Sequence, residues 1–145
     1  MANTFHVALY VRSIPEAVER YRKILGIEPA KVRADYAKFE LADPPVIFSL
    51  NVGGQAGTLS HLGIRYPGTG DVASEMVRVK GGGIDLLEQK GTTCCYAKAD
   101  KFWVRDADGM PWEMYTLLAD AEAETAADES LRTFLAQDNG KSALT

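Results

Sequence analysis

The chain has 145 residues, 46% of them hydrophobic and 25% charged, the length of one domain and the balance of a globular protein rather than a disordered one. A formal net charge of −4 argues against nucleic acid as the main partner. No apolar run is long enough to span a membrane, and the opening Met1-Ala2-Asn3-Thr4-Phe5-His6 lacks the basic-then-apolar pattern of a secretion signal, so the expectation is a soluble, cytoplasmic protein.

Residues 5–11 alternate apolar and other residues and read as a strand. Ser13 with Glu16 makes a capping box and Pro15 suits a first turn, so a helix is predicted through Ile14, Val18, Tyr21 and Leu25, with Gly26 as its stop. Three strands follow at about 28–34, 35–42 and 45–51. The plan then repeats. Ser60-His61-Leu62-Gly63-Ile64-Arg65-Tyr66 is a strand. Asp71 caps a helix through Val72, Met76 and Val79, and Gly81-Gly82-Gly83 stops it. Strands are predicted at about 84–90, 100–106 and 111–117, with Asp106-Ala107-Asp108-Gly109 as the turn between the last two. Residues 91–99 read as a polar loop. One domain over residues 1–118 is expected, built from two βαβββ modules at about 4–52 and 58–118, because neither half alone buries an adequate core. The tail 119–145 is acidic and alanine-rich. Asp120, Glu122, Glu124, Asp128, Glu129 and Asp138 outweigh Arg132 and Lys141 there, whereas the body before it balances 14 basic against 14 acidic residues. The tail reads as disordered or as a weak surface helix, with Leu131, Phe134 and Leu135 as its packing residues.

Strand alternation sorts the side chains. Val7, Leu9 and Val11 share one face of the first strand and His6, Ala8 and Tyr10 the other. In the fifth strand Leu62, Ile64 and Tyr66 oppose His61, Gly63 and Arg65. In the eighth, Trp112 and Met114 oppose Glu113 and Tyr115. The mixed faces thus carry His6, His61 and Glu113, and His6 and His61 are the chain's only histidines. A lone strand histidine is usually structural, but here the same residue recurs at the same register of both repeats. Two imidazoles and a carboxylate bind Fe(II), Zn(II) or a similar ion and leave positions open.

The chain's only two cysteines, Cys94 and Cys95, are adjacent and cannot staple distant segments. In a reducing cytosol both thiols are available to soft metals or metalloids. Adjacent strand residues point oppositely, so both sulfurs reach one atom only from an irregular stretch, which Gly91-Thr92-Thr93 permits. Lys98 and Lys101, if nearby, would favour the thiolates. Tyr10, Arg65, Tyr96, Lys98 and Tyr115 are candidate pocket-lining residues, and Trp103 and Trp112 read as packing residues.

With these residues in place, the sequence resembles the vicinal oxygen chelate superfamily, the glyoxalase, bleomycin-resistance and extradiol dioxygenase group. The resemblance covers about residues 4–117 and rests on the positions of His6, His61 and Glu113 and on the hairpin Arg105-Asp106-Ala107-Asp108-Gly109-Met110-Pro111-Trp112-Glu113. It implies an α+β fold in which paired βαβββ modules form an open, cup-shaped mixed sheet around a divalent metal. The run Thr93-Cys94-Cys95-Tyr96-Ala97-Lys98-Ala99-Asp100-Lys101-Phe102-Trp103-Val104, with Trp112-Glu113-Met114-Tyr115-Thr116, is similar to the carbon–arsenic lyases and the related cadmium-induced proteins. That likeness implies His6, His61 and Glu113 as ligands of Fe(II), for which Ni, Co or Zn can substitute, and Cys94 and Cys95 as ligands of a trivalent organoarsenical. It further implies dioxygen as co-substrate in cleaving the carbon–arsenic bond to arsenite. Many superfamily members take a fourth ligand from the fourth strand, but Pro45-Val46-Ile47-Phe48-Ser49-Leu50 offers no acid, histidine or amide, and Glu40 is a poor substitute. Three ligands suit oxygen activation, and the missing carboxylate removes an isomerase's base. Two rivals stay open: another enzyme on the same fold, a glyoxalase-type isomerase or a thiol transferase, and a non-catalytic cadmium or arsenite binder. The modules can pair within one chain or exchange between the chains of a homodimer.

Overall fold

The computed structural model describes residues 3–94, 96–120 and 129–137, with the side chains of 94, 120 and 129 excepted. The fold is α+β, with three helices and the eight strands of an open mixed sheet among the described residues. By contact density the chain divides into two compact units, Asn3–Leu62 and the part from Gly63 onward. No described helix is long and apolar enough to cross a membrane.

The first unit begins with β1 (Thr4–Tyr10), followed by α1 (Ile14–Leu25), β2 (Lys31–Val32), β3 (Tyr36–Ala42), β4 (Pro45–Asn51) and the start of β5 (Leu59–Arg65). Ser13 accepts the Glu16 N–H at 3.4 Å at the head of α1, and Gly26 ends the helix in the left-handed region at φ 72°, a conformation that costs glycine little. Ile14 and Val18 turn inward against Ala37, Phe39 and Leu50, and Tyr21 stacks at 5.0 Å on Phe48. Truncating a core side chain as enclosed as Phe39 costs about 3–5 kcal/mol. β4 runs parallel to β1, with Ile47 opposite His6 and Ser49 opposite Ala8, while β3 runs antiparallel to β4. The strand predicted at 28–34 shrinks to the two residues of β2.

The second unit holds the end of β5, α2 (Thr69–Gly81), β6 (Leu87–Cys94), β7 (Ala97–Arg105), β8 (Pro111–Asp120) and α3 (Glu129–Ala136). Asp71 is not the N-cap of α2 but its third residue. Gly68 caps the helix, and the Asp71 carboxylate accepts the Gly68 N–H at 3.1 Å. Val72, Met76 and Val79 pack on Phe102, Met114, Val104 and Trp112, the second core. Tyr66 lies against this core, and burial followed by the neighbouring Glu75 charge pushes its hydroxyl pKa up to about 12. The β7–β8 turn is built as its sequence predicts: the Asp106 carboxylate accepts the N–H groups of Asp108 and Met110 at 2.8 and 2.9 Å, and Gly109 takes φ 91°.

Within the loop expected at 91–99, residues 91–94 and 97–99 are strand instead. Thr92, Thr93 and Cys94 pair with Ala99, Lys98 and Ala97, after a bulge between Gln89 and Thr92. Gly91, at φ 59°, absorbs that irregularity and gives its N–H to Asp100 at 2.7 Å. The β-branched threonines then resume the ladder. In the tail, Phe134 of α3 is buried beneath the Arg105 guanidinium, 4.7 Å from its ring centroid, and Arg105 also donates to the Gln137 carbonyl. Residues 121–128 and 138–145 lie outside the described residues.

Candidate metal centre

In the first unit, β1 and β5 bring the two histidines together: the His6 and His61 ring centroids are 5.4 Å apart, with the rings tilted by 37°. Each ring is also held by a serine. His6 Nε2 lies 3.0 Å from the Ser49 hydroxyl, and His61 Nδ1 lies 3.0 Å from the Ser60 hydroxyl. His6 and Ser49 are both buried, so this contact is dry and directional. A hydroxyl serves as donor or acceptor, so each serine can fix the orientation of a ring in either tautomer. Glu40 of β3 is paired with Lys38 at 3.2 Å. Tyr10 packs over Gly54, where an added Cβ would sit 2.5 Å from its ring, and it lines a cavity of about 990 Å³ along α1.

In the second unit, Glu113 is the third residue of β8 and is buried. Its Oε2 receives a hydrogen bond from Lys101 Nζ at 2.5 Å, and both side chains are more than nine-tenths buried. Trp103 stands opposite Glu113 in the β7–β8 ladder and Lys101 opposite Tyr115, so these four share a face. The Lys101 ammonium sits 5.7 Å from the Trp103 ring centroid, and Trp103 Nε1 donates to Gln89 at 3.1 Å. Trp103 is therefore part of the polar face, whereas Trp112 packs in the core. Gly63 of β5 lies directly on this strand: a Cβ there would collide with the Glu113 carbonyl oxygen and touch the Glu113 Cβ at 3.4 Å.

The remaining candidates are dispersed. Tyr115 is buried beside Glu113, and its carbonyl accepts the Tyr66 N–H at 2.7 Å. Arg65 and Tyr96 are half-buried, and Tyr96 takes φ 61°, a conformation unusual for a side chain of its size. Lys98 is exposed and lies over Gly91. The backbone of Cys94 ends β6, but its side chain and all of Cys95 lie outside the described residues. Ser49, Ser60, Gln89 and the Lys101–Glu113 pair were not singled out from the sequence as parts of a site. Alternation places Lys101 and Glu113 on matching faces but does not give the register that joins them.

His6, His61 and Glu113 each offer one ligand atom, and the first and last are buried. Imidazole nitrogen with carboxylate oxygen is a donor set for Fe(II), Zn(II) and their neighbours rather than for a soft ion. A carboxylate already held on one oxygen can give the other to a cation without rearranging. The residues present fit a divalent transition metal.

A family model described as the Glyoxalase/Bleomycin resistance protein/Dioxygenase superfamily matches residues 4–114. The "Cadmium-induced protein CadI" of Mycobacterium tuberculosis is 40% identical over 117 residues, which are 80% of this chain and 77% of that protein. The "Trivalent organoarsenical cleaving enzyme" of Thermomonospora curvata is 38% identical over 126 residues, 86% of this chain and 83% of that one. Among solved structures, an extradiol ring-cleaving dioxygenase from B. fuscum superposes with a TM-score of 0.61 at 16% identity, over 91% of this chain and 36% of that one. That last likeness is one of fold.

Proposed function

The chain belongs to the Glyoxalase/Bleomycin resistance protein/Dioxygenase superfamily, and on that footing we propose that it is an Fe(II)-dependent enzyme that cleaves the carbon–arsenic bond of trivalent organoarsenicals to arsenite. The observation that carries the reading is the approach of the His6 and His61 rings to 5.4 Å, each steadied by a serine. The similarity to relatives named for cleaving trivalent organoarsenicals supports the choice of substrate. His6, His61 and Glu113 would hold the iron, which supplies dioxygen chemistry when bound. Cys94 and Cys95 would hold the arsenic, since two thiolates chelate a soft trivalent centre and select it over the hard anions of the cytoplasm. The second sulfur binds as an intramolecular event, at high effective concentration.

The bookkeeping of the methyl case is complete without a further reductant: CH3As(OH)2 + O2 gives CH2O + As(OH)3. The carbon–arsenic bond breaks, and one oxygen atom ends in formaldehyde and the other in arsenite. Carbon gives up the four electrons that dioxygen accepts, and arsenic stays trivalent. Buried Trp103 and Tyr115 flank Glu113 and would keep water from that carboxylate. The test is iron-loaded, thiol-reduced protein given methylarsenite in air and under nitrogen. Formaldehyde, arsenite and consumed dioxygen in equal amounts are expected. Arsenite release without oxygen would reject the reading.

A second reading, a binder that sequesters cadmium or arsenite, is favoured by the similarity to proteins named as cadmium-induced. It predicts stoichiometric binding that survives His61→Ala and no oxygen uptake.

A further inference from the structure

We propose that Lys101 is a positioning residue for Glu113: by holding Oε2 it leaves a single carboxylate oxygen for a divalent ion, and its charge moderates how tightly that ion binds. The inference rests on the metal-site reading above and deepens it.

The pair is enclosed. The side chains of Lys101 and Glu113 are 4% and 9% exposed, and Nζ and Oε2 are 2.5 Å apart. Burying an ammonium is costly unless it is fully compensated, so a lysine in mid-strand on this face calls for an explanation. Packing alone does not require it, because a methionine or leucine would fill the same volume. Its setting is also built. The ammonium lies 5.7 Å from the Trp103 ring centroid, Trp103 is tied through Nε1 to Gln89, and Trp103 pairs across the ladder with Glu113 itself. The lysine stem is thereby confined and the carboxylate is gripped from one side.

Two consequences follow for a cation at Glu113. A carboxylate with both oxygens available tends to take a cation between them, filling two positions, whereas one with Oε2 engaged offers one oxygen and leaves a position vacant. The ammonium also repels the incoming cation at short range in a medium of low dielectric, which lowers affinity. The lysine therefore exchanges binding strength for an open position, the requirement of a site that must admit a further ligand.

The experiment uses the full chain, with Co(II) as the probe, chelator competition for affinity and ligand-field absorption for coordination. Lys101→Met removes both the charge and the donor. It is expected to bind Co(II) about tenfold more tightly than the native protein, with altered bands. Lys101→Gln removes the charge but keeps a donor, which guards against a Lys101→Met protein that fails to fold. It is expected to bind about tenfold more tightly with the native bands, and Lys101→Arg should match the native protein within about twofold. A residue serving only stability would weaken binding or leave it unchanged. Unchanged or weaker Co(II) binding by Lys101→Gln overturns the proposal, as does a native band pattern in folded Lys101→Met. Full Co(II) affinity in His61→Ala would instead reject the metal site itself.

Discussion

The imidazole rings of His6 and His61 lie 5.4 Å apart, tilted by 37°, although one comes from the first strand of the chain and the other from the first strand of the repeat. Two neutral imidazoles at this separation can share a cation, and two protonated ones would repel. The metal reading therefore requires that loss of either ring be felt first in metal content. His61→Ala should reduce bound iron from near stoichiometric to near zero and lower arsenite release more than about 100-fold, beyond the range of losing an outer partner. Metal analysis and turnover on the same sample check both.

Ser49 tests how far ring orientation matters. Its hydroxyl is buried and 3.0 Å from His6 Nε2. Ser49→Ala should cost about 1 kcal/mol in denaturant unfolding of the metal-free protein and weaken metal binding by about 10–100-fold. A stability loss with unchanged metal affinity would mean that the serine supports only the core.

The cysteines divide the proposed enzyme from an isomerase or thiol-transferase relative. Cys95→Ser should keep its iron but bind a trivalent arsenical about 100-fold more weakly, because the chelate becomes a single bond. Tryptophan-fluorescence titration with phenylarsenite, beside iron analysis, measures the two quantities separately.

Tyr66 provides a pH dependence unrelated to the site. Its folded pKa is pushed up from 10.0 to about 12, so between these values the unfolded chain loses a proton that the folded chain keeps. Tyr66 therefore favours folding below pH 10, and that contribution is lost as pH rises toward 12. Denaturant midpoints for Tyr66→Phe should fall less steeply over this interval than those of the native protein.

The tail helix depends on one clamp. Phe134 is buried under Arg105, whose guanidinium also binds the Gln137 carbonyl. Phe134→Ala should cost about 3 kcal/mol of local docking, seen as lost hydrogen-exchange protection in residues 129–137 with the β7–β8 ladder unaffected.

Much of the fold was legible because it rests on short-range chemistry. The Ser13 cap, the Gly26 stop and the Asp106–Gly109 turn each need particular residues at fixed offsets, and each forms as its sequence predicts. Strand alternation likewise assigned Glu113 and Trp112 to opposite faces. What stayed hidden depends on which residue faces which across the sheet. Gly91 reads as a loop residue, yet it sits in a bulge inside paired strand. Asp71 reads as a cap when Gly68 takes that place one turn earlier. Lys101 reads as company for the cysteines, yet the register of β7 on β8 gives it to Glu113. Arg105 over Phe134 joins segments separated by an acidic stretch that carries no pattern pointing to the contact.

The close seat of Gly63 on the Glu113 backbone sets a limit on how this protein can diverge or be engineered. A library that randomises codon 63 should return glycine almost alone, since even a methyl group would push apart the two strands that carry His61 and Glu113. Broader specificity would then have to arise elsewhere, at positions such as Tyr10 that border open space, and the frame of the centre would pass unchanged through any such lineage.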